Sequence, residues 1–377
     1  MGNIARVGID LSRIEYIPDT ETVSDSHRLR YGDVLFNTRN TLDLVGKVSI
    51  WRDELPVAYY NSNILRIEFK SDYCGDSRYF GYALNSAESI ENIRKLATGT
   101  TSVAAVYTRD LLKLRVPVPS KSEQRAIADT LEDADRLISS LECLTAKKRA
   151  IKQGMMQRLF QDARVDAWSN RLAEFLRQPA TYGIVKAGEF RRTGVPMVRG
   201  GDIRNGKISS GLPCVTRKKS DEYMRTVLQK GDVVVALVGY PGESAVVPGA
   251  LVGANISRAV GLLRPDQNLL PEFLAHYLNS PLGRRQFLKP SAGSAQIVVN
   301  LVDLNRMEVS IPSTDVQAAI SATLADADTE ISTLRARLDK AMAVKAGMMQ
   351  QLLTGRTRLP DKEGVDAGTV GRAGSEW

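Results

Sequence analysis

Asp53, Glu68 and Lys70 are spaced like a metal-dependent nuclease centre, in which two carboxylates hold a cation beside a lysine. The pattern is loose, because these residue types are common and the gap between Asp53 and Glu68 is permissive. The second half of the chain carries Arg264-Pro265-Asp266 at the comparable place and so does not repeat it. Other covalent chemistry has little to start from. Only two histidines, His27 and His276, are available for proton transfer or zinc. Gly46-Lys47 and Gly206-Lys207 lack the upstream glycine and the following Ser/Thr of a phosphate-binding loop, and no adenine-methyltransferase loop is present.

The remaining candidates suit non-covalent recognition. Reading base edges requires forked donors and acceptors: Arg for guanine, Asn or Gln for adenine, with Lys on phosphates for affinity. Asn37, Arg39 and Asn40 follow a predicted strand, with Lys47 shortly after. The equivalent turn later in the chain is Val238-Gly239-Tyr240-Pro241-Gly242. Around it stand Arg199, Arg204, Lys207, Lys218 and Lys219, and two matching polar turns add Thr100 and Gln296. Each of these is either a nucleic-acid contact or an ordinary solvated side chain. The run Lys147-Lys148-Arg149-Lys152 reads as a solvated helix face.

Two long helices must carry these groups. Residues 118–160 and 311–353 align with 21 identities over 43 positions, 193 residues apart. Apolar residues step by four and three through Ile127, Leu131, Ala134, Ile138 and Leu141, and through Ile320, Leu324, Ala327, Ile331, Leu334 and Leu338, the spacing of a coiled-coil seam. About 40 residues of helix span roughly 60 Å. Ser120 and Glu123 form a predicted capping box. Lys152 and Lys345 interrupt the seam at equivalent places, where they either set register or snorkel to water. Gly154 and Gly347 sit inside the helices, each followed by Met-Met-Gln. Close approach of another backbone beside adaptable methionine surface would explain them, making Gly154, Met155, Met156, Gly347, Met348 and Met349 a candidate partner site. Ordinary packing between the two helices explains them equally well.

The globular segments echo each other faintly: Gly32-Asp33-Val34 with Gly231-Asp232-Val233, and Tyr82-Ala83-Leu84-Asn85-Ser86 with His276-Tyr277-Leu278-Asn279-Ser280. The expected class is α+β, with two globular α/β segments alternating with two long helices paired as an antiparallel coiled coil. The expected boundaries are 1–117, 118–161, 166–312 and 313–357, followed by a polar, glycine-rich and disordered tail, 358–377. A pseudo-two-fold would set the globular segments at opposite ends, like a dumb-bell, and two-fold objects suit two-part targets such as DNA. The first segment lacks the lead-in of about 30 residues that precedes Gly194 in the second, so it reads as shortened at its start.

Composition agrees with a binding protein. Net charge is +8, compatible with a polyanionic partner but not specific to one. No apolar run approaches the ~18 residues of a membrane span, and the start has no apolar signal region. Three distant cysteines suit a reducing cytoplasm.

In order and spacing these features resemble the specificity subunit of type I restriction-modification systems. The matching stretches are Val116-Pro117-Val118-Pro119 into Glu123-Gln124-Arg125-Ala126-Ile127, Ile311-Pro312 into Gln317-Ala318-Ala319-Ile320, Gly194 through Ile203, Gly231 through Val235, and the ending Leu352-Leu353-Thr354-Gly355-Arg356. The resemblance implies two target recognition domains separated by helical spacers. It implies a non-catalytic, sequence-specific subunit that binds a split, asymmetric double-stranded DNA target, binds no cofactor itself and seats adenine methyltransferase subunits, joined in some systems by ATP-dependent restriction subunits. The competing readings are a stand-alone coiled-coil scaffold and the nuclease of Asp53, Glu68 and Lys70.

Overall fold

The computed structural model describes residues 2–6, 8–18, 20–99, 103–164, 167–290 and 297–359. The expected disordered tail therefore lies almost wholly outside the described residues. Helix and sheet are mixed throughout. The chain divides into two compact units, residues 1–142 with 336–377 and residues 143–335, so each unit contains half of each long helix.

In the first unit, Val34–Asn37 is the central strand, flanked antiparallel by Val48–Ile50 and Ile64–Ile67. Its four residues are all buried, which is why Val34-Leu35-Phe36 runs apolar without alternation. The sheet packs on Tyr79, Phe80 and Tyr82 of the helix Ser77–Leu84. Ile127 and Leu131 of the first long helix and Leu352 and Leu353 at the end of the second complete that core.

In the second unit, Val233–Ala236 is the equivalent strand, between Ser244–Val246 and Val260–Leu263. Its apolar core takes Phe273 and Tyr277 from Pro271–Asn279, Met156 and Phe160 from the first long helix, and Ile320 and Leu324 from the second. A further sheet of Val195–Val198, Cys214–Val215 and Asn255–Ile256 lies beside it. The lead-in peculiar to this unit forms Trp168–Arg171, which pairs with Glu308–Ile311, and buries Leu172 and Phe175 completely. Residues 114–119 of the first unit, before its long helix, form no strand.

One segment in each unit, 77–96 and 271–287, is broken into two helices. Ser77–Leu84 ends and Ala87–Leu96 begins at Asn85-Ser86; Pro271–Asn279 ends and Pro281–Phe287 begins at Ser280. The cause is the same in both units. Ser86 and Ser280 cap the following helix, accepting from Ser89 N and Gly283 N. Asn85 and Asn279 turn their amides onto the carbonyls of Val48 and Ser244 in the neighbouring strand.

The long helices are Lys121–Asp162 and Thr314–Leu352. Ser120 Oγ accepts from Glu123 N, while the Glu123 carboxylate pairs with Arg358 at 2.7 Å. Within each unit the seam residues are buried or half-buried. Contacts step in opposite directions along the two halves: Lys148 pairs with Glu330 and Lys152 with Asp328. In the first unit Lys345 pairs with Asp135. Neither seam lysine snorkels. Each meets an aspartate of the other helix, and the two pairs occupy the same repeat positions.

Gln124 and Gln317, both fully buried, anchor each helix start in the same way. Gln124 accepts from Gly75 N and donates to the carbonyls of Tyr73 and Pro119; Gln317 accepts from Leu270 N and donates to those of Asn268 and Pro312. A glutamine satisfied at three points in a dry site fixes orientation, because any rotation strands a polar atom.

Candidate nucleic-acid interface

The richest cluster of predicted residues is in the second unit, and glycines build it. A Cβ on Gly200 would lie 1.9 Å from the Val238 carbonyl oxygen, and one on Gly239, at φ +96, would lie 3.2 Å from Gly201 N. The turn at 199–202 and the turn at 238–242 therefore run backbone against backbone, an approach that side chains would forbid. Next comes the hairpin Ile203–Arg204 with Lys207–Ile208. Its tip, Asn205-Gly206, takes positive φ at both residues (51 and 73), the geometry for which Asn-Gly is favoured. Asn205 N donates to Glu243 Oε2 at 2.7 Å, and Arg284 holds the other oxygen of Glu243.

On this frame the Arg204 guanidinium lies 3.7 Å from the ring centroid of Tyr240, and both residues are exposed. Lys207 faces Arg204 across the hairpin and is also exposed. Arg199 behaves differently. Its Nε and Nη2 both donate to Asp202, at 3.0 and 2.9 Å, so its fork is closed on its own turn.

Beside the hairpin opens a cleft of about 620 Å³. Arg149, Lys207, Arg284 and Arg335 contribute positive charge to its lining, against Glu243, Glu272 and Asp328. Arg149, expected on a solvated face, thus reaches this cleft. His276 also lines it; burial, then the nearby Lys152 charge, lowers its pKa to about 4.

The remaining predicted residues are more dispersed. Lys218 and Lys219 lie on the short helix Arg217–Asp221, Lys218 exposed and Lys219 tied to Glu222 at 2.6 Å. In the first unit, Arg39–Asn40 is a strand paired with Ala104–Ala105, with Arg39 exposed. Asn40 folds back to accept from Thr41 N, and Lys47 is half-buried. Asn37 needs correcting as a contact residue. It is fully buried, its Oδ1 accepts from Arg39 N, and it shapes the turn from inside. Thr100 and Gln296 lie outside the described residues.

Gly154 and Gly347 are exposed, and a Cβ on either would meet nothing within 4 Å, so neither packing between the helices nor close approach of this chain's own backbone requires them. Met156 is buried in the core of its unit, while Met155, Met348 and Met349 are half-buried. Glu68 pairs with Arg66 at 3.0 Å, and Asp53 sits in a turn with φ 57. Among the described residues no three acidic, histidine or cysteine side chains gather as metal ligands.

Sequence reasoning missed the charge cluster on Glu132. This nearly buried carboxylate on the first long helix meets Arg52 Nε at 3.0 Å, Arg78 and Arg136. Burial opposes its ionisation, but hydrogen bonds and charge from Arg52 and Arg78 hold it below the usual glutamate range. The repeat equivalent is Ala325, so no internal echo pointed to it.

The architecture and basic loops define a class of protein. The family model of the type I restriction modification DNA specificity domain matches residues 6–152 and 174–341, and the chain belongs to that family. It stands with the specificity subunits of type I restriction-modification systems. It is 24% identical over 339 residues to the EcoBI specificity subunit of Escherichia coli, covering 81% of this chain and 69% of that one. It is 22% identical over 369 residues to the putative MjaX specificity subunit of Methanocaldococcus jannaschii, covering 93% and 84%. Its fold resembles the crystal structure of the S subunit from M. genitalium, with a TM-score of 0.58 at 16% identity, covering 86% of this chain and 83% of that one. Among the described residues no helix is long and apolar enough to cross a membrane.

Proposed function

We propose that this chain reads a two-part, asymmetric double-stranded DNA sequence, one part per unit, and catalyses no step itself. The two long helices pair as an antiparallel coiled coil and hold both reading units in register. Adenine methyltransferase subunits dock on the helices near Gly154 and Gly347, and ATP-dependent restriction subunits join where the system has them.

The observation that carries this reading is the contrast between scaffold and loops. Two scaffold contacts recur at matching positions: Gln124 with Gln317, and Asp135–Lys345 with Lys152–Asp328. The candidate reading loops do not recur. The first unit offers a strand with Arg39; the second offers a glycine-built turn with Arg204 and Tyr240. One scaffold with two different reading surfaces fits one target with two different halves.

The experiment is a salt titration of the purified chain on duplex DNA. Phosphate contacts release counterions, so affinity should fall steeply and log-linearly with salt. DNA should be neither cut nor methylated by the chain alone. Salt-insensitive binding, or metal-dependent cleavage lost in Asp53→Ala or Glu68→Ala, would overturn the proposal.

A further inference from the structure

We propose that Arg204, held over the Tyr240 ring, reads a guanine in the half-site of the second unit. This inference rests on the DNA-recognition reading above and assigns one of its specificity-determining residues.

Three observations converge. The first is orientation. The guanidinium carbon lies 3.7 Å from the Tyr240 ring centroid, a cation–π contact that holds the group over the ring. That contact supplies no hydrogen-bond acceptor to the forked N–H donors. Among the described residues, no acceptor takes a hydrogen bond from the Arg204 guanidinium, and the side chain is exposed. A planar fork of this kind matches the O6 and N7 acceptors of guanine in the major groove.

The second is rigidity. Arg204 is the last strand residue before a tight Asn205-Gly206 tip. That tip is pinned through Asn205 N to Glu243, and Glu243 through Arg284 to the helix Pro281–Phe287. Tyr240 stands in the turn that packs on Gly200 and Gly201. Both partners are therefore placed by backbone contacts, and little freedom remains to be lost on binding.

The third is contrast within the same unit. Arg199 lies in the family-like stretch Gly194 through Ile203, yet two nitrogens of its fork are already held by Asp202. To read a base it would have to leave a charge-assisted pair, whereas Arg204 would not. Lys207, directly across the hairpin, offers a point charge suited to an adjacent phosphate. Tyr240 is a positioning residue here and acts through Arg204.

The test uses the complex with its methyltransferase subunits. The wild-type target is mapped by methylation sequencing, and competition binding is then measured on oligonucleotides replaced one base pair at a time. Wild type should favour one G·C pair in one half-site by about 5- to 150-fold. Arg204→Lys keeps the charge and loses the fork. It should reduce that preference to less than about threefold and leave the other half-site alone. Tyr240→Phe should retain the preference, and Tyr240→Leu should weaken it at that same base pair. If the wild-type motif is unchanged in Arg204→Lys, or if preference falls equally at every position, this inference fails while the general reading stands. A wild-type complex with no base preference anywhere would overturn both.

Discussion

Lys152 Nζ lies 2.6 Å from Asp328 Oδ1, and the pair is the repeat image of Lys345 with Asp135. Each joins a lysine two residues before the glycine of a Gly-Met-Met run to the second aspartate of an Asp-Ala-Asp run on the other helix. The two runs that mark the repeat in the sequence are thus the two sides of one contact. Surroundings differ, because Asp135 also accepts from the Tyr82 hydroxyl at 2.7 Å and meets Arg52.

Breaking either pair should therefore destabilise its own unit, and losing the one at Asp135 should cost more. Lys152→Met leaves a half-buried carboxylate alone and should lower stability by about 1–2 kcal/mol. Asp328→Asn should cost a similar amount, and the double variant less than their sum. Asp135→Asn should cost more than Asp328→Asn, since three partners lose their acceptor charge. Urea unfolding of the four variants gives the comparison, and additive losses would show that the residues do not interact.

Gly154 and Gly347 lie in helical backbone with open space where a Cβ would go. Gly154→Ala and Gly347→Ala should each stabilise the isolated chain by about 0.5–1 kcal/mol. If methyltransferase subunits approach there, the same variants should weaken co-purification with them. Stabilisation without any loss of association would remove these glycines from the partner surface.

Gly200→Ala should act oppositely. Its Cβ has no room against the Val238 carbonyl, so one turn must move, at about 1–3 kcal/mol. Thermal unfolding of the second unit should shift down, and base preference in its half-site should be lost with Arg204 and Tyr240 displaced. An unchanged melting temperature would contradict the described packing.

His276 predicts an acid sensitivity. Its folded pKa is lowered to about 4, by burial and then by Lys152, from an ordinary value of 6.5. Between these values the unfolded chain binds the proton and the folded one does not. Stability is thus fully present above about pH 6.5 and is lost progressively as pH falls toward 4. His276→Gln should flatten the fall in melting temperature between pH 7 and 5. An unaltered slope would place the acid sensitivity elsewhere.

Much of the scaffold was legible in the sequence because it is written twice. The strands after Gly32-Asp33 and Gly231-Asp232, the heptad seam and the seam lysines all follow from periodicity and repetition. The helix breaks at Asn85-Ser86 and Ser280 were missed, because the apolar pattern continues through them and the Asn and Ser bonds that end each helix are tertiary or capping contacts. The candidate reading surface was half legible. Residue type nominated Arg199, Arg204 and Asn37 alike; only packing separates an arginine spent on Asp202 and an asparagine buried in a strand from an exposed arginine over a tyrosine ring. The Glu132 cluster joins residues from distant segments and occurs in one unit only, so neither spacing nor repetition could reveal it.

The central claim is that one chain reads a split DNA target with two different units. It is tested most directly by co-expressing the chain with its adenine methyltransferase subunit in a methylation-free host and sequencing the genome for methylated adenines. The account predicts one asymmetric motif of two specified parts separated by a fixed unspecified gap, with methylation absent when the chain is omitted. It also predicts that replacing residues 166–312 with the corresponding domain of a relative changes one part only. A continuous motif, a change in both parts on that replacement, or methylation that persists without the chain would contradict it.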